Sequence, residues 1–146
     1  LVICHELGHV LGGEPLQNIP NSNWASCEGQ SDYFSTNKCL TRMLQKLPLK
    51  EDLVKIPRPF PTWCKIGAQS DKDVELCLRG VSAIEKFGLI IKKINDENKT
   101  PSVSRNDSHE VDETIINSYP STQCRVDTYL AGFFHKPRPA CWYKME

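Results

Sequence analysis

The chain begins Leu1-Val2-Ile3-Cys4-His5-Glu6-Leu7-Gly8-His9-Val10-Leu11-Gly12-Gly13 and so contains the spacing His-Glu-x-x-His. On a helix, His5 and His9 stand one turn apart on a single face. Two imidazoles placed that way can hold one zinc ion, and Glu6, beside the first of them, can act as base on a water held there. Leu1, Val2, Ile3, Leu7, Val10 and Leu11 surround the polar residues, so the helix is expected to be buried, with Gly12-Gly13 as its stop. Two histidines and a glutamate in such a helix are costly unless they bind metal or pair by hydrogen bonds. A hydrogen-bonded polar cluster without metal is the alternative reading.

A catalytic zinc site takes three protein ligands and keeps a fourth position open. The stretch Ala25-Ser26-Cys27-Glu28-Gly29-Gln30-Ser31-Asp32-Tyr33-Phe34 offers Glu28-x-x-x-Asp32, two carboxylates at helical i, i+4 spacing. Glu28 is the candidate third ligand. Asp32, one turn on, can accept the second ring N–H of a ligating histidine, His5 in this reading, which would set its tautomer. A solvated helix face is the other account of this pair, but Trp24, Ala25, Tyr33 and Phe34 argue for burial. Glu14 is the fallback ligand if Glu28 does not serve.

The two motifs together, His5-Glu6-Leu7-Gly8-His9 and Glu28-Gly29-Gln30-Ser31-Asp32, resemble those of the gluzincin zinc metallopeptidases, the thermolysin-like clan. The metzincin pattern fits less well, because its third ligand would fall on Pro15. The gluzincin resemblance implies a zinc peptidase in which His5, His9 and Glu28 bind Zn2+ and Glu6 is the general base. It also implies a mainly α fold, the helical catalytic lobe of a zincin-like metallopeptidase. The sheet lobe that normally precedes this helix is absent from this chain, and a missing N-terminal lobe would be needed to bind the peptide or protein substrate. The C-terminal stretches Tyr119 to Tyr129 and Arg138 to Tyr143 further resemble the tail of uncharacterised secreted bacterial proteins carrying the same zinc motif.

A hydrolysis of this kind needs one more donor for the oxyanion. Tyr119, Arg125, Tyr129, His109 and His135 are candidates. Tyr119 and Arg125 are preferred because they flank a helix start, although an ion pair of Arg125 with Asp127 or another acid is the plainer account. A zinc-stabilised or disulfide-held binding domain without turnover is the alternative function.

At 146 residues the chain is expected to form one domain. Its 18 basic and 18 acidic residues balance, which gives no electrostatic reason to expect nucleic acid or an anionic membrane as partner. No apolar run reaches membrane-spanning length. Seven cysteines suit an oxidising compartment, secreted or periplasmic. Cys39, Cys64, Cys77, Cys124 and Cys141 are the disulfide candidates, with Cys124 to Cys141 a plausible short loop. Cys4 is expected to be a small buried residue.

The positioning elements follow from pattern. The first helix covers residues 1–12, and 13–23 is loop by composition. A second helix is expected from about Trp24 to Lys46, with Ser26 as cap, Gly29 at a close approach and Pro48 as stop. Four prolines make 48–70 irregular. A third helix is expected from about Asp71 to Asn98, capped by Ser70. Residues 95–118 are polar and aperiodic, the expected mobile loop. Asn98-Lys99-Thr100 and Asn106-Asp107-Ser108 within it are glycosylation triplets, relevant only in a eukaryotic host. A last helix is expected from Ser121 to Phe134, followed by a proline-rich tail.

Overall fold

The computed structural model describes residues 1–47 and 56–145. It is mainly α: helices account for about half of the chain, and the described residues contain no strand, only an isolated bridge between Leu16 and Ser26. The helices are α1 (Val2–Leu11), α2 (Glu28–Phe34), α3 (Thr41–Lys46), α4 (Phe60–Trp63), α5 (Asp71–Ile94) and α6 (Thr122–Phe133). A π-helical stretch, Ser35–Leu40, joins α2 to α3 without a break. No described helix is long and apolar enough to cross a membrane.

Helix α1 lies across α2, and Gly8 sets their separation. A Cβ at Gly8 would stand 2.6 Å from Ser31 Oγ and 2.7 Å from Ser31 O. Ser31 Oγ donates to His5 O, and Ser26 N donates to His9 O at 2.9 Å. His5 and His9 face this contact. The apolar residues of α1 do not: Val2, Ile3, Leu7, Val10 and Leu11 are exposed. The expectation of a buried helix is therefore corrected to a helix buried on one face only. His5 and His9 take the inner face, and the aliphatic side chains are left on the outer one.

The second expected helix starts later than its composition suggests, at Glu28 rather than Trp24. Ser26 is not its cap; Cys27 holds that position, and Ser26 Oγ donates instead to Gly13 O at 2.7 Å. Residues before Cys27 are drawn into the returning loop, where Gln17 N donates to Ala25 O and Cys27 N to Pro15 O. The π-helical stretch packs against α6, with Asn37 Nδ2 donating to Gly132 O at 3.2 Å. Gly29 does not face α1. A Cβ there would run into the Trp142 indole, so the glycine admits the C-terminal tail.

Helix α5 begins as its sequence directs. Asp73 N donates to Ser70 Oγ, and Ser70 Oγ donates back to the Asp73 carboxylate. It ends at Ile94, four residues before Asn98. Arg79, buried on α5, donates to Leu44 O and Leu47 O and so caps α3 from outside. Helix α6 is capped by Ser121, whose Oγ accepts from Cys124 N. The main core gathers Phe60, Val81, Ile84, Ile91, Val103, Val126 and Tyr129 from α4, α5, α6 and the stretch between them. Within the expected irregular segment 48–70, residues 48–55, Pro48 among them, lie outside the described residues, and 60–63 form the single turn of α4.

Residues 95–118 contain no helix or strand but are tied down at several points. Val103 is buried and its N–H donates to Glu85. Ser102 N donates to Gln123 Oε1, and Asp107 N to Asp127 Oδ2. Three disulfides close the chain: Cys4–Cys39, Cys64–Cys77 and Cys124–Cys141. Cys4 is thus a bridged residue and not merely a small buried one, and Cys27 is left as the buried free thiol. The bridges are compatible with an extracellular or periplasmic protein.

Packing at Gly29 predicts an inverted substitution effect. In the first turn of an unencumbered helix, Gly→Ala stabilises by about 1 kcal/mol. Gly29→Ala is expected to destabilise by about 1–3 kcal/mol, because Trp142 is fully buried against it. A urea unfolding midpoint above that of the wild type would contradict the packing described.

Candidate metal centre

Helix α1 carries His5 and His9 one turn apart, and α2 carries Glu28 at its first position, directly beneath them. His5 Nε2 lies 3.3 Å from Glu28 Oε2, and His9 Nε2 lies 3.5 Å from Glu28 Oε1. The three side chains offer ligand atoms that all lie within 4.8 Å of one another, and the group could hold a metal ion. Glu14 is exposed and lies outside this group.

The other ring nitrogen of each histidine faces an oxygen atom. His9 Nδ1 is 2.8 Å from Ser26 O. A carbonyl oxygen only accepts, so Nδ1 carries the hydrogen, and Nε2 is the nitrogen turned toward Glu28. His5 Nδ1 is 2.7 Å from Asp32 Oδ1, within ion-pair distance but outside conventional hydrogen-bond geometry. The structure thus brings Asp32 beside His5, the histidine the sequence pairs it with. Glu28 Oε2 is buried and has no partner in conventional hydrogen-bond geometry. Lone pairs aimed at one another across about 3 Å repel unless a cation lies between them. The donor set therefore fits a divalent metal, and in its absence a proton on His5.

That proton is firmly held. Burial by itself would lower the His5 pKa, but Asp32 and Glu28 outweigh it and raise the value to about 9. Asp32 is fully buried. Burial would raise its pKa, yet Arg125 and His5 together hold it below the usual carboxylate range. Arg125 reaches Asp32 with a fork, Nε to Oδ2 at 2.7 Å and an η-nitrogen to Oδ1 at 2.9 Å. The same η-nitrogen is 3.8 Å from Glu28 Oε2. Tyr129, buried on α6, donates its hydroxyl to Asp32 Oδ1.

Of the five donors considered from sequence, only some reach this place. Tyr119 is exposed, its ring centroid 5.2 Å from the Arg125 guanidinium carbon. The Glu28 charge, with burial and a hydrogen bond to Glu28, raises the Tyr119 phenol above its usual pKa, and Glu6 adds to the effect. Tyr119 and Glu6 are both exposed residues near Glu28. Arg125 is present but pairs with Asp32, not with Asp127. Tyr129 is enclosed behind Asp32. His135 Nδ1 lies 2.9 Å from Asn37 Nδ2, and His109 stands on an exposed stretch whose N–H is taken by Asp107. The Ser26 carbonyl was not foreseen as the partner of His9. A backbone acceptor has no residue-type signature, so no sequence signal could have pointed to it.

Compared with family models, curated proteins and solved structures, the chain has no match in any of the three.

Two measurements test this geometry. Asp32→Asn leaves Arg125 buried without its counter-charge and is expected to cost about 3–5 kcal/mol in urea unfolding; a loss below about 1 kcal/mol would show that the pair is not buried as described. His5 provides the second. Its folded pKa of about 9 exceeds the ordinary 6.5. Its contribution to metal-free stability is thus fully present below pH 6.5 and is lost as pH rises through about 9. A metal ion needs the bare Nε2. Binding at pH 7 should release about one proton per ion, and apparent affinity should rise toward pH 9. Calorimetry in buffers of different ionisation heat reads this directly, and binding without proton release would contradict the His5 assignment.

Proposed function

We propose that the protein is a zinc-dependent hydrolase, a peptidase of the gluzincin kind, with His5, His9 and Glu28 as zinc ligands. The observation that carries the reading is the convergence of both Nε2 atoms on the Glu28 carboxylate, with His9 Nδ1 turned to Ser26 O and His5 Nδ1 to Asp32. Two imidazoles and one carboxylate are a catalytic zinc donor set with room for a fourth ligand. When bound, zinc would supply Lewis-acid activation of a water and of a carbonyl.

The remaining work falls to the chain's own residues. Glu6 stands next to His5, exposed, and takes the proton of the attacking water before returning it to the leaving amine. Tyr119, also exposed, donates to the developing oxyanion. Arg125 is a positioning residue in this scheme. Its fork fixes Asp32, which orients His5, and its guanidinium lies against the Tyr119 ring. A peptide or other amide is the substrate this set of groups suits.

Zinc content and turnover test the proposal together. One zinc per chain is expected in the wild type and in Glu6→Gln, and none in Glu28→Ala. Hydrolysis of an unfolded protein substrate should fall at least about a hundredfold in Glu6→Gln. Zinc retained by Glu28→Ala, or turnover surviving in Glu6→Gln, would sink the assignment. Zinc without any turnover in the wild type would leave a metal-stabilised binding domain.

A further inference from the structure

Away from the metal centre, α4, the C-terminal half of α6 and the stretch around Val103 enclose a cavity of about 400 Å³. That volume is in the range of small-molecule sites. Its apolar wall is an aromatic cluster. Phe60 meets Trp63 edge-on with ring centroids 5.3 Å apart, Phe60 stacks on Phe134 at 6.0 Å, and Trp63 meets Phe134 edge-on at 6.1 Å. Two carboxylates, Asp107 and Asp127, also line the cavity.

Asp127 is the unusual member. Its side chain is partly buried on α6 and accepts from Asp107 N at 2.6 Å and from Gln123 Nε2 at 2.9 Å. Burial nevertheless pushes its pKa up to about 6. Among the described residues, no cation forms an ion pair with it. A carboxylate held in place but without a counter-charge favours a cationic ligand. The aromatic wall favours the same charge, and the chain's own Lys136 demonstrates it: its Nζ sits 4.6 Å from the Trp63 centroid at the rim of this cavity.

We propose that the cavity binds a small organic cation, an ammonium group carried on an aromatic or branched apolar body. The ammonium pairs with Asp127 while the body lies on Phe60, Trp63 and Phe134, displacing Lys136 from the Trp63 face. None of His5, His9 or Glu28 lines the cavity, so the inference stands apart from the hydrolase reading.

The test is a titration of the full chain, followed by NMR at the Trp63 indole N–H, with three probes of one size. Phenethylammonium is cationic, 2-phenylethanol uncharged and 3-phenylpropionate anionic. The expected result is saturable binding of phenethylammonium, about tenfold tighter than 2-phenylethanol, with 3-phenylpropionate weakest. Asp127→Asn keeps the acceptor for Asp107 N and should weaken the cation about tenfold. Lys136→Ala should tighten it several-fold. If Asp127→Asn does not fold, the probe series and Lys136→Ala decide alone. Absent saturation, equal binding of the three probes, tighter binding of 3-phenylpropionate, or weaker binding in Lys136→Ala would each overturn the proposal.

Discussion

The buried carboxylate of Asp32 is the constraint around which the molecule is arranged. A single charge with no access to water costs several kcal/mol unless it is paired and its lone pairs are filled. Here three groups fill them: the Arg125 fork and the Tyr129 hydroxyl from α6, and the His5 imidazole from α1. Asp32 itself stands on α2. The relative placement of these three helices is thereby set at one point, to within hydrogen-bond tolerance. Disulfides fasten the same parts from outside, Cys4–Cys39 tying α1 to the π-helical stretch and Cys124–Cys141 tying α6 to the tail.

The charges around Asp32 also explain how His5, His9 and Glu28 can stand together in a folded chain without a metal ion. Asp32 and Glu28 are balanced by Arg125 and by a protonated His5, so the site is neutral as it folds. A divalent ion exchanging with that proton would change the local charge by one unit only. In the hydrolase proposal this makes Arg125 a permanent counter-charge and His5 the exchangeable one. The geometry needed by the ligands is then maintained by Asp32 and Arg125 whether or not the ion is present.

Helix α6 serves two sides of the molecule at once. Arg125 and Tyr129 point toward Asp32, while Asp127 and Leu130, with Phe134 just beyond the helix, line the aromatic cavity. A period of 3.6 residues makes this division natural, since positions two apart lie on nearly opposite faces. The cavity's carboxylate and the metal centre's arginine are separated by the thickness of one helix, which is enough to keep Arg125 from neutralising Asp127.

The local spacing of residues in the sequence was sufficient to put His5 and His9 on one helical face and Glu28 and Asp32 on another, while the meeting of the two faces is tertiary. His-Glu-x-x-His and Glu-x-x-x-Asp are one-turn spacings, and a helix places such residues on one face wherever it sits in the fold. The starts of α5 and α6 were legible for the same reason, because Ser70 and Ser121 cap through bonds that span only three residues. What the sequence could not convey depends on long-range contact. The aliphatic residues of α1 suggest a buried helix, yet their burial depends on what lies against that face, and pattern carries no such information. The same holds for the partner of Cys4, the loss of the first turn expected from Trp24, the Ser26 carbonyl behind His9 and the company of Gly29. Arg125 could have paired with several acids of equal charge. Only the crossing of α6 over α2 brought it to Asp32, because an ion pair is decided by distance in space and not by separation along the chain.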